Sequence, residues 1–147
     1  MSAAPRPLDV AFSLARYGFH VFPVSRRKVP LVQGWQSAAS RDPETIATWF
    51  TVDFPDALVG YACGLSGVVV GDLDRDKPFP EQHPRAGEQK GAGVDNLDAA
   101  GIVPPPTFTY ATPSGGTHLV YRAPEGRALT IAADHPVDGV DVRAGNG

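Results

Sequence analysis

Cysteine is nearly missing from this chain: Cys63 is the only one in 147 residues. That excludes a disulfide framework and a cysteine-built zinc site within the chain. Cys63 itself reads as a small buried apolar side chain. No apolar run approaches the roughly 20 residues of a membrane-spanning helix, and the opening residues hold no signal-peptide core. The expectation is therefore a cytoplasmic protein with no membrane partner. Internal repeats and low-complexity tracts are also missing. What is abundant is Gly (16) and Pro (15), which points to many loops and short elements. The length suits one domain, or a domain with a subdivision, and is enough to bury a core.

The net charge of −3 conceals an asymmetry. Residues 1–41 carry Arg6, Arg16, Arg26, Arg27, Lys28 and Arg41 against the single acid Asp9, and the remainder is strongly acidic. An acidic body repels nucleic acid unless metal neutralises its site, whereas a basic N-terminal third can face a phosphate backbone. Charge alone favours the plainer reading, in which Arg26, Arg27 and Lys28 solubilise a loop.

Residues 1–6 read as a frayed end. A helix starts at Pro7, with Leu8, Phe12 and Ala15 on one stripe, and stops at Gly18. His20 to Val24 reads as a short strand in which Pro23 hints at an edge, with His20 a strand-end residue rather than a ligand. A loop follows from Ser25 to Gly34, and Trp35 packs back as an anchor. Ser40 or Asp42 caps a second helix bearing Ile46, Trp49 and Phe50. Leu58 to Ala62 reads as a strand, and Gly64 and Gly67 bracket a tight turn into the next one, so the two are expected to form a hairpin. Arg75 to Gly93 is a long polar loop, of a kind that is functional or mobile. A short helix at Val94 to Ala100, strands at Thr107 to Ala111, His118 to Arg122 and Gly139 to Arg143, and an undecided stretch from Arg127 to Pro136 complete the chain.

Three short patterns carry chemistry. In Val68-Val69-Val70-Gly71-Asp72-Leu73-Asp74, β-branched residues predict a strand buried on both faces, ending in two carboxylates. Residues two apart share a face, and their Cα atoms lie roughly 6.6 Å apart. Carboxylates that close repel unless something neutralises them, and a divalent cation would. Solvated strand-end acids fit the bare pattern equally well. Asp76 is expected to be diverted by the following turn. In Ser114-Gly115-Gly116-Thr117-His118, the glycine N–H groups and the Ser114 hydroxyl suit an anion nest, with His118 aimed at the same place. A plain hairpin turn is the bland reading. In Val140-Asp141-Val142-Arg143, alternation sends the valines inward and Asp141 with Arg143 to the other face, as a surface ion pair or as a third metal-binding carboxylate with a phosphate-facing cation.

In this combination and order the chain resembles the N-terminal primase/polymerase (prim-pol) domain of bifunctional phage and plasmid replication proteins, in the archaeo-eukaryotic primase superfamily. The resemblance runs through Gly18-Phe19-His20-Val21-Phe22-Pro23, Lys28-Val29-Pro30, Gly34-Trp35, Trp49-Phe50, the acidic strand, Thr112 to His118, and Gly139 to Arg143. It implies an α/β (α+β) fold with an RRM-like antiparallel sheet, flanking helices and a smaller N-terminal αβ unit. It implies that Asp72, Asp74 and Asp141 hold two divalent ions, Mg²⁺ or Mn²⁺, and that Ser114, Gly115, Gly116 and His118 bind the incoming triphosphate. Arg143 and Lys28 would be further phosphate contacts. The implied partners are a single-stranded DNA template, a primer and (d)NTPs.

The cysteine-bound zinc stem of some relatives cannot form here. The expectation is that residues 1–147 are the catalytic part of a longer, phage- or plasmid-encoded replication protein. It would carry a helicase region downstream and act in the cytoplasm of a bacterial host. Three rival readings compete. A haloacid-dehalogenase-like phosphotransferase would use Asp72 or Asp74, but Asp76 stands where Thr or Val is usual. A nucleotide-sugar transferase gives no reason for Ser114 to His118. The third is a non-catalytic nucleic-acid-binding module whose acids are structural.

Overall fold

Helix α1 (Pro7–Arg16) begins with proline at its first turn, where a missing N–H costs nothing. Asp9 lies in that turn, favourably placed against the helix dipole, and pairs with Arg6 at 2.8 Å. Ala11 and Ala15, four residues apart, form its buried stripe, with Leu8 and Phe12 beside them. This is the entry to the first of two units, Met1–Gly67 and Val68–Gly145. The computed structural model describes residues 3–125, 129 and 131–145.

In the first unit, β1 (Val21–Val24) pairs antiparallel with β2 (Leu58–Tyr61), Val21 opposite Tyr61 and Val24 opposite Leu58. The free side of β1 is closed by Ser40, which exchanges two 2.9 Å backbone bonds with Val21. Pro23, which has no N–H to give, still accepts from Leu31. Short helix α2 (Trp35–Ala38) delivers the expected anchor: Trp35 stacks on Phe22, with ring centroids 4.6 Å apart. The Asp42 carboxylate caps α3 (Pro43–Thr48) by accepting from the Thr45 N–H at 2.9 Å. A π-helical turn, Trp49–Asp53, follows. Ile46 is fully enclosed among Ala11, Ala15, Val21 and Phe50.

The expected hairpin of β2 with the valine strand does not form. A helical turn, α4 (Cys63–Ser66), lies between them and closes on Gly67 at φ +67. Spacing of Gly64 and Gly67 suits a helix cap as well as a tight turn. Cys63 is buried, as expected.

The second unit is built on a four-stranded antiparallel sheet in the order β4-β5-β3-β6. Its strands are β3 (Val68–Leu73), β4 (Phe108–Ala111), β5 (Thr117–Arg122) and β6 (Val140–Arg143). Helix α5 (Gly93–Ala99) packs Leu97 against Leu73, Val140 and Leu119 on one face. The valine strand is central but not buried on both faces throughout. Val70 and Leu73 are buried while Val68 and Val69 are half-buried, because the apolar packing of α5 is centred on Leu73, at the far end of the strand.

Arg75 to Gly93, expected as a functional or mobile loop, gives way to α5 at Gly93 and is folded around Phe79, which is 3% exposed. The His83 ring stacks on Phe79 at 4.3 Å, and Arg85 lies over its face at 4.5 Å. Of the undecided stretch from Arg127 to Pro136, residues 127, 128 and 130 lie outside the described residues, and Ala132 bridges to Val142. Helices and antiparallel sheets together make an α+β fold. Among the described residues no helix is long and apolar enough to cross a membrane.

Candidate active site

Four side chains line one face of the sheet in a single row. Tyr110 is opposite His118, His118 is opposite Asp72, and Asp72 is opposite Asp141. Directly opposed residues on neighbouring strands share a face, so the register alone sets a histidine and an aspartate on either side of Asp72. The next row holds Val120, Val70 and Arg143. Asp72 is thus the centre, flanked from the two strands on either side of its own.

His118 Nε2 lies 3.2 Å from Asp72 Oδ1, and an Arg143 guanidinium nitrogen lies 3.8 Å from Asp72 Oδ2. The same nitrogen is 3.4 Å from Asp141 Oδ2, so one cation bridges two carboxylates. Asp141 Oδ1 accepts the backbone N–H of Asp134 at 3.0 Å. Burial pushes the Asp72 carboxyl up, but the hydrogen bond from His118 and the positive charges of His118, Arg143 and Lys77 outweigh it. The group ends below the usual carboxylate range.

Asp74 follows the end of β3 and stays bonded to the sheet, its N–H donating to Gly139 at 2.8 Å. Its carboxylate is held by Lys77, 2.6 Å away. Asp76 is diverted, as expected, and accepts from the Gly91 N–H. Among the described residues no three His, Cys, Asp or Glu side chains converge closely enough to hold a metal ion. The donor chemistry nevertheless fits a hard divalent cation. Asp72 and Asp141 are opposed carboxylates that already share a cationic group, and hard oxygen ligands suit Mg²⁺ or Mn²⁺. Asp74 stands two residues along the same chain, paired to Lys77.

The turn between β4 and β5 differs from the expected open anion nest. The Gly115 N–H donates to the Thr112 carbonyl and the Gly116 N–H to the Thr112 hydroxyl, both at 3.0 Å. Both glycine donors are therefore spent inside the turn. The Ser114 hydroxyl lies 3.2 Å from that of Thr112. Glycine is required here for a different reason: a Cβ on Gly116 would sit 2.6 Å from the Leu73 carbonyl oxygen. The Arg75 stem runs beside Gly115, a cation that the sequence reading did not weigh.

Tyr110 was missed as well. Its hydroxyl lies 2.6 Å from His118 Nδ1, and the two rings meet edge to face at 5.0 Å. A Tyr two residues into a strand carries no sequence signal of its own. Lys28 belongs to the first unit, where it is exposed and closes a turn with Ser25 at φ +64.

Residues 11–147 match one family model, described as bifunctional DNA primase/polymerase, N-terminal. No curated protein matches the chain.

Proposed function

The chain belongs to the bifunctional DNA primase/polymerase N-terminal family, and from that premise we propose that it extends DNA by template-directed nucleotidyl transfer from (d)NTPs. The observation that carries this reading is the row in which His118 and Asp141 flank Asp72 across neighbouring strands. In the proposed reaction a primer 3′ hydroxyl gives up its proton to water as its oxygen bonds to the α-phosphorus, the bond from that phosphorus to the bridging oxygen breaks, and pyrophosphate leaves. Such transfers are catalysed chiefly by positioning and by offsetting charge.

Asp72, Asp74 and Asp141 would hold two divalent ions, Mg²⁺ or Mn²⁺. When bound, these would lower the pKa of the attacking hydroxyl and offset charge on the leaving phosphates. Asp72 would exchange its bond with His118 Nε2 for that role, and the released ring N–H would then donate to a phosphate oxygen. Arg143 would likewise leave its bridging position and meet phosphate. Ser114 and the close-packed turn at Gly115 and Gly116 would shape the triphosphate pocket. The carboxylates position charge and do not act as acid or base.

The resemblance also supports a setting: the catalytic part of a phage or plasmid replication protein with a helicase region downstream, working in the cytoplasm of a bacterial host on primed single-stranded DNA.

The test is extension of a labelled primer on a template with Mg²⁺ or Mn²⁺. Polymer growth by the wild type, abolished in a folded Asp72→Asn variant, is expected. Undiminished extension by that variant would overturn the assignment. Phosphate release from a small monoester in place of polymer growth would favour a dehalogenase-like reaction, and neither activity would favour a binding module.

A further inference from the structure

The loop from Arg75 to Ala92 is long, polar and ordered, and beyond Lys77, which pairs with Asp74, nothing above assigns it a role. Its order comes from Phe79, whose backbone N–H bonds to Glu88 and whose ring is enclosed by His83, Arg85 and, at 5.0 Å, the Lys90 ammonium. The loop is stitched to the turn ahead of β6 by Asn96. Its side-chain nitrogen donates to the carbonyls of Lys90 at 2.9 Å and Asp138 at 2.8 Å. What the loop delivers is Lys90. That side chain is 10% exposed, and its ammonium reaches both Asp134 oxygens, at 3.1 and 2.8 Å. An ammonium so enclosed needs a charged partner to offset its lost hydration.

Asp134 makes further bonds of its own. Its carboxylate accepts the Gly139 N–H at 2.8 Å, and its backbone N–H donates to Asp141 Oδ1 at 3.0 Å. Its backbone sits at φ +49, a conformation that a non-glycine residue keeps only when its surroundings hold it there. Backbone bonds on either side, Ala132 with Val142 and His135 with Val140, anchor the turn, and the bonds that its own carboxylate adds are those to Lys90 and Gly139. The ion pair therefore contributes to the direction of the Asp134 N–H, and with it to the orientation of the Asp141 carboxylate.

We propose that Lys90 and Asp134 are positioning residues for a divalent-cation site: the loop helps to hold Asp141 with one oxygen fixed by the Asp134 N–H and the other facing the guanidinium that it shares with Asp72. This rests on the reading that Asp72 and Asp141 bind metal, and it assigns the charge pair behind one of them. Partners behind metal ligands are typically worth about 10- to 100-fold in metal affinity.

The test is Mn²⁺ binding, followed by the electron paramagnetic resonance of unbound ion without nucleotide, beside thermal unfolding and the Mn²⁺ dependence of primer extension. Lys90→Met should stay folded, bind Mn²⁺ about tenfold or more weakly, and need correspondingly more Mn²⁺ for half-maximal extension. Arg85→Met is the control. It breaks the ion pairs of the same loop with Glu88 and Asp138 without touching Asp134, and should leave Mn²⁺ affinity unchanged. Asp134→Asn keeps an acceptor for Gly139 and loses only the charge. It should weaken Mn²⁺ as Lys90→Met does, and it decides the question if that variant does not fold. Wild-type Mn²⁺ affinity in a folded Lys90→Met or Asp134→Asn protein would overturn the proposal, as would equal weakening in Arg85→Met. Should Asp72→Asn itself bind Mn²⁺ and extend normally, the underlying active-site reading fails instead, so the two failures are told apart.

Discussion

The Tyr110 hydroxyl lies 2.6 Å from His118 Nδ1, while the opposite ring nitrogen faces Asp72 at 3.2 Å. A neutral imidazole has one donor nitrogen and one acceptor. In the neutral ring, an Nε2–H directed at Asp72 leaves Nδ1 to accept from Tyr110, and the two contacts fix the ring plane. The hydroxyl thus holds the nitrogen that would meet phosphate in its donor form.

Tyr110→Phe keeps the edge-to-face packing and removes only that hydroxyl. A hydrogen bond of about 1 kcal/mol corresponds to roughly a fivefold change. The apparent KM for nucleotide should rise by about that factor, with kcat changed less. Steady-state extension kinetics check this, and an unaltered nucleotide KM would remove Tyr110 from the site.

Arg143 separates two opposed carboxylates. Arg143→Met leaves Asp72 and Asp141 facing each other without a shared cation. The arginine side chain is 46% exposed, so solvent screening limits the loss to about 1 kcal/mol or less, a fall in Tm of roughly 2–4 °C at this chain length. Mg²⁺ should raise the Tm of Arg143→Met more than that of the wild type, because it takes the vacated role. Melting curves with and without Mg²⁺ measure this, and equal shifts would count against a shared cation position.

Acid sensitivity has a definite sign. Burial pushes the Asp134 carboxyl up, but the Lys90 hydrogen bond, the Gly139 N–H and the charges of Lys90 and His83 more than offset it, and the group ends below its usual range. A depressed folded-state value means stability that is present above the unfolded value, near about 3.9, and lost as pH falls through the folded one. Asp72, also depressed, acts in the same direction. Asp134→Asn should therefore be less stable than the wild type at pH 6, with the gap closing below about pH 4. Tm measured against pH decides it, and a gap that widens in acid would contradict the ion pair.

In the first unit the cost of a cavity is expected at Ile46, which has no exposed surface. Ile46→Ala should lower unfolding free energy by about 2–5 kcal/mol. The urea midpoint should fall with little change in the slope m. A loss well under 1 kcal/mol would mean that Ala11, Ala15, Val21 and Phe50 do not enclose it as tightly as their packing indicates.

Much of the site's raw material was legible. Asp72 and Asp74 at a strand end, and Asp141 with Arg143 beside alternating valines, follow from a period of two residues per repeat, a local property of any strand. The Pro7 and Asp42 helix starts were equally local. The errors were all matters of partnership. The strand at Leu58 pairs backward with β1 rather than forward with β3. The glycine donors of the Ser114 turn bond to Thr112 rather than standing open.

Residue order was sufficient to say which acids exist, which side of a strand each occupies and where helices start, because those depend on neighbours a few positions away. It could not say that Asp72 stands between His118 and Asp141, that Tyr110 backs the histidine, or that Lys90 reaches Asp134. Those pairs lie far apart along the chain, or depend on side chains meeting across strands. Only the closing of loops and the register of the sheet brings them within bonding distance.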